Sequence, residues 1–215
     1  MIDFHTHTVF SDGAFIPSEM ARRAEVAGCR AVALTDHGDS SNLDIVIPAL
    51  VKASKALAEQ FRIRVIPGVE LTHVPPALIP SLEREARELG AKIVIVHGET
   101  IVEPVPEGTN RAALESNIDI LAHPGLITEE EVRMAKANNI CLEISGRKGH
   151  SLTNGHVARL AMKVGAKLLV NSDAHGPGDL ISLDFARKVA LGAGLSEEGF
   201  KMARSNAEEL LKKVV

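Results

Sequence analysis

The chain has no tryptophan and no tyrosine, and six phenylalanines supply its whole aromatic content. It therefore lacks the large aromatic anchors that dominate many tight protein interfaces. Cysteine is nearly missing as well. Cys29 and Cys141 stand alone without C-x-x-C spacing, which gives no thiolate metal motif, fits a reducing cytoplasm and reads as two small core residues. No long apolar run is present: the longest, IVIPALV, is far too short to span a bilayer and contains Pro48. A secretory leader is not expected either, because the first strand starts at Ile2 and leaves no room for a basic region and a cleavable apolar segment. Nor is there an excess of positive charge. The net charge of −4 with mixed signs argues against a broad nucleic-acid surface and leaves room for a local basic pocket. No Gly/Ser tract, charge block or low-complexity run marks a linker, so 215 residues at 45% hydrophobic predict one domain, 1–215, with a sizeable core.

What is there is an alternation. Short β-branched runs at 2–5, 31–35, 65–68, 93–97, 119–123, 141–145 and 168–172 are mostly apolar on both faces, as parallel strands covered on both sides must be. Between them lie segments of helical period, the clearest from Leu43 to Phe61, and two more helices close the chain. Seven β-α steps in succession suggest a closed parallel barrel or a doubly wound sheet, and both place ligands at the carboxyl ends of their strands.

Polar residues gather at those ends. The first strand runs into His5 and His7 with Asp12 in the following loop. The second ends in Asp36 and His37, the third in Glu70, the fourth in His97 and the fifth in His123. The sixth carries Glu143 and runs on to Arg147, and the seventh ends in Asp173 and His175. A lone buried histidine is more often a hydrogen-bonded core residue than a ligand. Six of the nine histidines falling at strand ends, with carboxylates beside them, is the pattern of a metal centre assembled from segments distant in sequence.

The ordered series DFHTHTVFSDG, LTDHG, PGVE, VHGE, AHPG and NSDAH, from residue 1 to about 176, resembles the polymerase and histidinol phosphatase (PHP) family of metal-dependent phosphoesterases, and most closely its short members named for histidinol phosphatase. The resemblance implies a single distorted TIM-like (β/α)7 barrel, with a site for three divalent ions (zinc, manganese or iron) at the C-terminal ends of the strands. By position, it implies that His5, His7, Glu70 and Asp173 hold one ion. Glu70, His97 and His123 would hold a second, with Glu70 bridging, and Asp12, His37 and His175 the third. Asp3 and Asp36 would orient imidazoles by accepting their second N–H.

Imidazoles and carboxylates without thiolate suit zinc, manganese or iron alike. Three divalent ions outweigh the charges of Asp12, Glu70 and Asp173, a surplus that a hydroxide and a phosphomonoester dianion offset and a neutral amide does not. The expected reaction is hydrolysis of a small phosphomonoester, histidinol phosphate-like or nucleotide-like, by water activated on the metals, with Glu70, Asp173 and Arg147 as catalytic residues. Arg147, with its planar fork, is the expected phosphate ligand; Lys148 and His150 are further substrate-binding candidates. Glu143 reads as a supporting residue, His73 as exposed and idle, Asn154 as a helix N-cap and His156 as a first-turn helix residue. Two other functions compete: a phosphodiesterase or exonuclease on nucleotides or oligonucleotides, and a non-catalytic barrel like a ribonuclease P protein subunit. The complete ligand set argues against the last, since a scaffold has no use for several buried polar groups. Short loops imply an open cleft and broad specificity.

Overall fold

The computed structural model describes residues Met1–Val215. Seven strands form one parallel sheet in the spatial order β1 (Ile2–Asp3), β2 (Ala31–Leu34), β4 (Arg64–Leu71), β5 (Ile93–His97), β6 (Ile120–Ala122), β7 (Cys141–Ser145) and β8 (Leu168–Asn171). A two-residue strand, β3 (His37–Gly38), pairs with the far end of β4. The sheet curls into a nearly closed α/β barrel. Across the seam between β8 and β1, one parallel bridge joins Thr6 to Ala174, and the Asn171 side chain accepts the Phe4 backbone N–H at 3.1 Å.

Eight helices surround the sheet: α1 (Pro17–Val26), α2 (Leu43–Ala58), α3 (Ile79–Glu88), α4 (Thr109–Leu114), α5 (Glu129–Ala137), α6 (Asn154–Val164), α7 (Leu183–Gly192) and α8 (Glu197–Val214). None is long and apolar enough to cross a membrane. Sequence reasoning missed β3 and α4, both too short to show a period. It also ended the third strand at residue 68, whereas β4 runs to Leu71. Asn154 is not an N-cap. It is the first helical residue of α6, and its side-chain amide bonds both the N–H and the C=O of Ser145, at 3.0 and 2.8 Å, pinning the end of β7. His156 does lie in the first turn of α6 and meets the Ile127 carbonyl at 2.7 Å.

Alternation along the strands sorts the core into an inner and an outer set. Ile2, Phe4, Ala31, Ala33, Ile66, Ile93, Ile95, Ile120, Cys141 and Leu169 fill the barrel, and Leu210, Leu211 and Val214 of α8 plug its N-terminal end. The intervening residues Val69, Val94, Val96, Leu121, Leu142, Ile144 and Val170 face outward onto α3–α7. Along an inner row, the residues two steps further on are no longer apolar. Ile66 and Gly68 lead to Glu70, Ile95 to His97, Cys141 to Glu143, and Leu169 through Asn171 to Asp173. The row that packs the barrel thus carries ionisable groups at its C-terminal mouth.

Candidate metal centre

The segment after β1 is folded over the mouth by buried carboxylates. Asp36 accepts four hydrogen bonds: from the Thr8 N–H and hydroxyl at 2.7 and 2.9 Å, and from the Ser11 N–H and hydroxyl at 3.1 and 2.9 Å. This turns the loop so that Asp12 reaches His37 and His175. Gly13 permits the tight return, since a Cβ there would lie 2.2 Å from the His7 carbonyl oxygen. Asp3 accepts the backbone N–H groups of His5 and Ser172, at 3.3 and 3.1 Å. Contrary to the sequence expectation, neither Asp3 nor Asp36 hydrogen-bonds an imidazole; both position backbone.

Glu143 takes the orienting role instead. Its two oxygens lie 2.7 Å from His5 Nδ1 and 3.2 Å from His123 Nδ1, and the Asn171 amide donates to it at 3.0 Å. Burial alone would raise the Glu143 pKa, but the charges and hydrogen bonds of His5 and His123 outweigh it and keep the carboxyl well below the usual range. An ionised carboxylate only accepts, so both rings donate through Nδ1 and the Nε2 edge is the one each can offer to a cation.

The donor atoms converge in overlapping groups. His5 Nε2 lies 3.2 Å from Glu70 Oε1 and 3.7 Å from Asp173 Oδ1; His7 Nε2 lies 3.4 Å from Asp173 Oδ1 and 3.7 Å from Glu70 Oε2. Around the other side of Glu70 Oε1 stand His97 Nδ1 at 3.4 Å and His123 Nε2 at 3.7 Å. Asp12 Oδ1 lies 3.4 Å from His37 Nε2 and 3.2 Å from His175 Nε2. Around Glu70 and Asp173, the sets able to hold a cation are His5/His7/Glu70, His5/His123/Asp173, Glu70/His97/His123 and, beside them, His7/Asp12/His37/His175. The structure therefore brings together all nine residues that the resemblance singled out. It also adds His7 to the third set and links His123 with His5 and Asp173.

Whether these residues fit metal ions is decided by their unpaired atoms. His5 Nε2, His7 Nε2 and Glu70 Oε1 are buried, close to one another and without a hydrogen-bond partner. Such groups cost free energy unless something else satisfies them, and a cation at their point of convergence does so. Burial pushes His7 down to about 3, leaving a neutral donor. His37 and His97 resist burial through their carboxylate partners, Asp12 and Glu70 for the first and Glu103 and Glu70 for the second, and rise to about 10 and about 9. Without a metal, those two rings hold protons in its place.

A cavity of about 260 Å³ opens above this cluster, and none of its 11 lining residues is apolar. Arg147 lines it, with Nη1 3.1 Å from the Asp173 carbonyl and 2.5 Å from His175 Nδ1. His150 lines it too, with Nδ1 3.0 Å from the Thr100 hydroxyl. Lys148 does not: it is exposed, and the cavity walls exclude it. His73 is exposed, as expected, but it borders the cavity and pairs with Glu103 at 3.0 Å. Glu103 itself was missed. Its only sequence signal is its place in the loop after β5, where strand-end loops deliver functional groups.

The chain matches the PHP domain family over residues 3–213. An uncharacterized protein of Methanocaldococcus jannaschii is 50% identical over 215 residues, covering 99% of each chain. A protein named a probable phosphatase, from Shewanella amazonensis, is 30% identical, with 85% of this chain and 80% of that one aligned. Among solved structures, archaeal ribonuclease P with mature tRNA contains a chain that superposes with a TM-score of 0.71 at 16% identity, over 97% of this chain and 90% of that one. Histidinol phosphate phosphatase of Lactococcus lactis, solved with zinc, L-histidinol and phosphate, superposes with a TM-score of 0.58 at 16% identity, covering 97% and 93%.

Proposed function

The chain belongs to the PHP domain family, and on that premise we propose that it is a phosphoesterase, hydrolysing a small phosphorylated metabolite at a trinuclear divalent-metal centre. Its ligands are His5, His7, Asp12, His37, Glu70, His97, His123, Asp173 and His175. The observation that carries this reading is the set of buried, unpaired nitrogen and oxygen atoms converging beneath an all-polar cavity bordered by an arginine. When bound, the ions ionise water near neutral pH and offset charge on the phosphoryl oxygens. Zinc, present in the Lactococcus protein's structure, suits these donors, as do manganese and iron.

The chain's own residues supply the rest. Glu70 stands in two donor sets and couples them. Asp173 faces His5 and His7 with one oxygen and Arg147 with the other. His175 Nδ1 lies 3.0 Å from the Asp173 carbonyl, which needs its proton, and 2.5 Å from Arg147 Nη1, which needs its lone pair. Both cannot be satisfied. When His175 serves as a ligand through Nε2, its Nδ1–H donates to the carbonyl, and Arg147 loses an acceptor that a phosphate oxygen then replaces. His150, whose burial pushes it down to about 4, meets the substrate as a neutral ring.

A 260 Å³ cavity without an apolar wall favours a compact polar phosphomonoester over an oligonucleotide, which would call for aromatic stacking surfaces. Likeness to the ribonuclease P chain concerns the fold, and the full donor set favours catalysis over scaffolding. We read residues 1–215 as one domain and, on its two buried free thiols, place it in the cytoplasm. The test is a screen of phosphomonoesters and phosphodiesters on protein reconstituted with zinc, manganese or iron. Hydrolysis of monoesters that stops on chelation is expected; no turnover of any ester by the metal-replete protein overturns the reading.

A further inference from the structure

One cluster of ligand-type side chains lies outside the sets used above. His73, Glu103 and the outer edge of His97 meet at the cavity mouth. Glu103 Oε2 is 3.0 Å from His73 Nε2 and 3.2 Å from His97 Nε2, and Glu103 Oε1 is 3.3 Å from His150 Nε2. Around tetrahedral zinc, bonds of about 2.0–2.2 Å to nitrogen and oxygen put neighbouring donor atoms about 3.3–3.6 Å apart. The observed spacings need only a small expansion to accept such an ion.

Two features separate this cluster from a surface ion pair. His97 is 3% exposed, yet its Nε2 makes no hydrogen bond although the Glu103 carboxylate is close. A pair built for its own sake would align N–H with oxygen. His73, at a left-handed φ of 53°, turns the chain so that its ring meets Glu103. Of the other non-glycine residues with positive φ, His123 and Asp173 belong to the metal centre, and Asn139 follows the end of α5, where left-handed residues are ordinary.

We propose that His73, His97 Nε2 and Glu103, with His150 as a further donor, form an additional divalent transition-metal site at the mouth of the cavity. His97 stands between the two regions, its Nδ1 turned to Glu70 Oε1 at 3.4 Å and its Nε2 to Glu103. With Nδ1 engaged below, an ion in the outer site takes the place of the Nε2 proton, which passes to solvent. This site is the weaker one, because His73 and Glu103 are 39% and 37% exposed and remain hydrated. The inference does not depend on which ester the protein hydrolyses.

The experiment is a zinc titration of the metal-free full-length chain against a chromophoric chelator, run beside His73→Ala, Glu103→Gln and the double variant, with melting curves to establish that each is folded. Wild type should take up one weaker equivalent beyond its tight ions, and each variant should lose that equivalent alone. Equal uptake by wild type and the double variant overturns the outer site and leaves the trinuclear reading standing. Loss of tight ions from the variants also overturns it, making His73 and Glu103 supports of the inner centre. No tight zinc uptake by wild type overturns both readings.

Discussion

A carboxylate that accepts the Nδ1–H groups of His5 and His123 leaves each ring only one edge with which to bind a cation. Glu143 therefore determines the chemistry of two residues far from it in sequence without lining the cavity itself. Glu70 and Arg147 differ in the same way, one binding within the cluster and the other above it. Glu70→Gln removes a charge shared by two donor sets, so metal content should fall and turnover should drop by more than about 100-fold. Arg147→Ala should retain most of the metal and lose about 2–4 kcal/mol in kcat/KM on phosphate esters, the worth of one charge-assisted contact that strengthens in the transition state. Metal analysis and kinetics on the two variants decide it. Unchanged kcat/KM in Arg147→Ala on every ester would show that the arginine serves only its own chain.

At the scale of elements, one buried acid at the base of the barrel ties three of them together. Asp119, which precedes β6 and is 2% exposed, accepts the Val94 N–H of β5 at 3.0 Å, Arg87 of α3 at 2.7 Å and Lys213 of α8 at 2.9 Å. Lys213 is mostly exposed and contributes little; the Val94 N–H and Arg87 contacts are the sheltered ones. Asp119→Ala leaves the buried Val94 N–H unpaired and removes the sheltered partner of Arg87. A loss of about 2–4 kcal/mol is expected in urea unfolding. Metal content should be unchanged in the folded fraction, since the site lies at the opposite end. A midpoint equal to that of wild type would mean that the Val94 N–H and Arg87 are satisfied without this carboxylate.

For the whole molecule, metal, proton and stability are linked. In the metal-free protein, His37 and His97 rise to about 10 and about 9, from an unfolded value near ~6.5. Folded values above the unfolded one mean that the fold prefers the protonated rings. Their contribution is whole below pH ~6.5 and is lost as pH climbs through about 9 and about 10. A bound cation needs the same nitrogens unprotonated, so its affinity runs the other way and improves over that range. The gap in Tm between loaded and metal-free protein, at a fixed free-metal concentration, should therefore widen from pH 7 to pH 9. A gap that narrows would mean that these two rings are not ligands.

The sequence by itself determined a covered parallel sheet and the ligand-type residues at its strand ends; that the sheet closes into a barrel was decided by the tertiary structure. Seven runs apolar on both faces have no stable arrangement except a covered parallel sheet, and in such folds the strand ends are where polar groups converge. The candidate ligands are legible because each of His5, His7, Glu70, His97, His123 and Asp173 sits at or just past the C-terminal end of its strand. Partnership is another matter. A carboxylate's neighbours depend on which strands flank it and how far each is staggered, and that register is set by packing around the whole barrel. So Asp3 and Asp36, expected to hold imidazoles, hold backbone, while Glu143 in the inner row of β7 takes the imidazoles. Loops carry no period at all. Glu103 became visible, and Lys148 was separated from Arg147, only once the chain had closed into a barrel and its loops had been brought around one cavity.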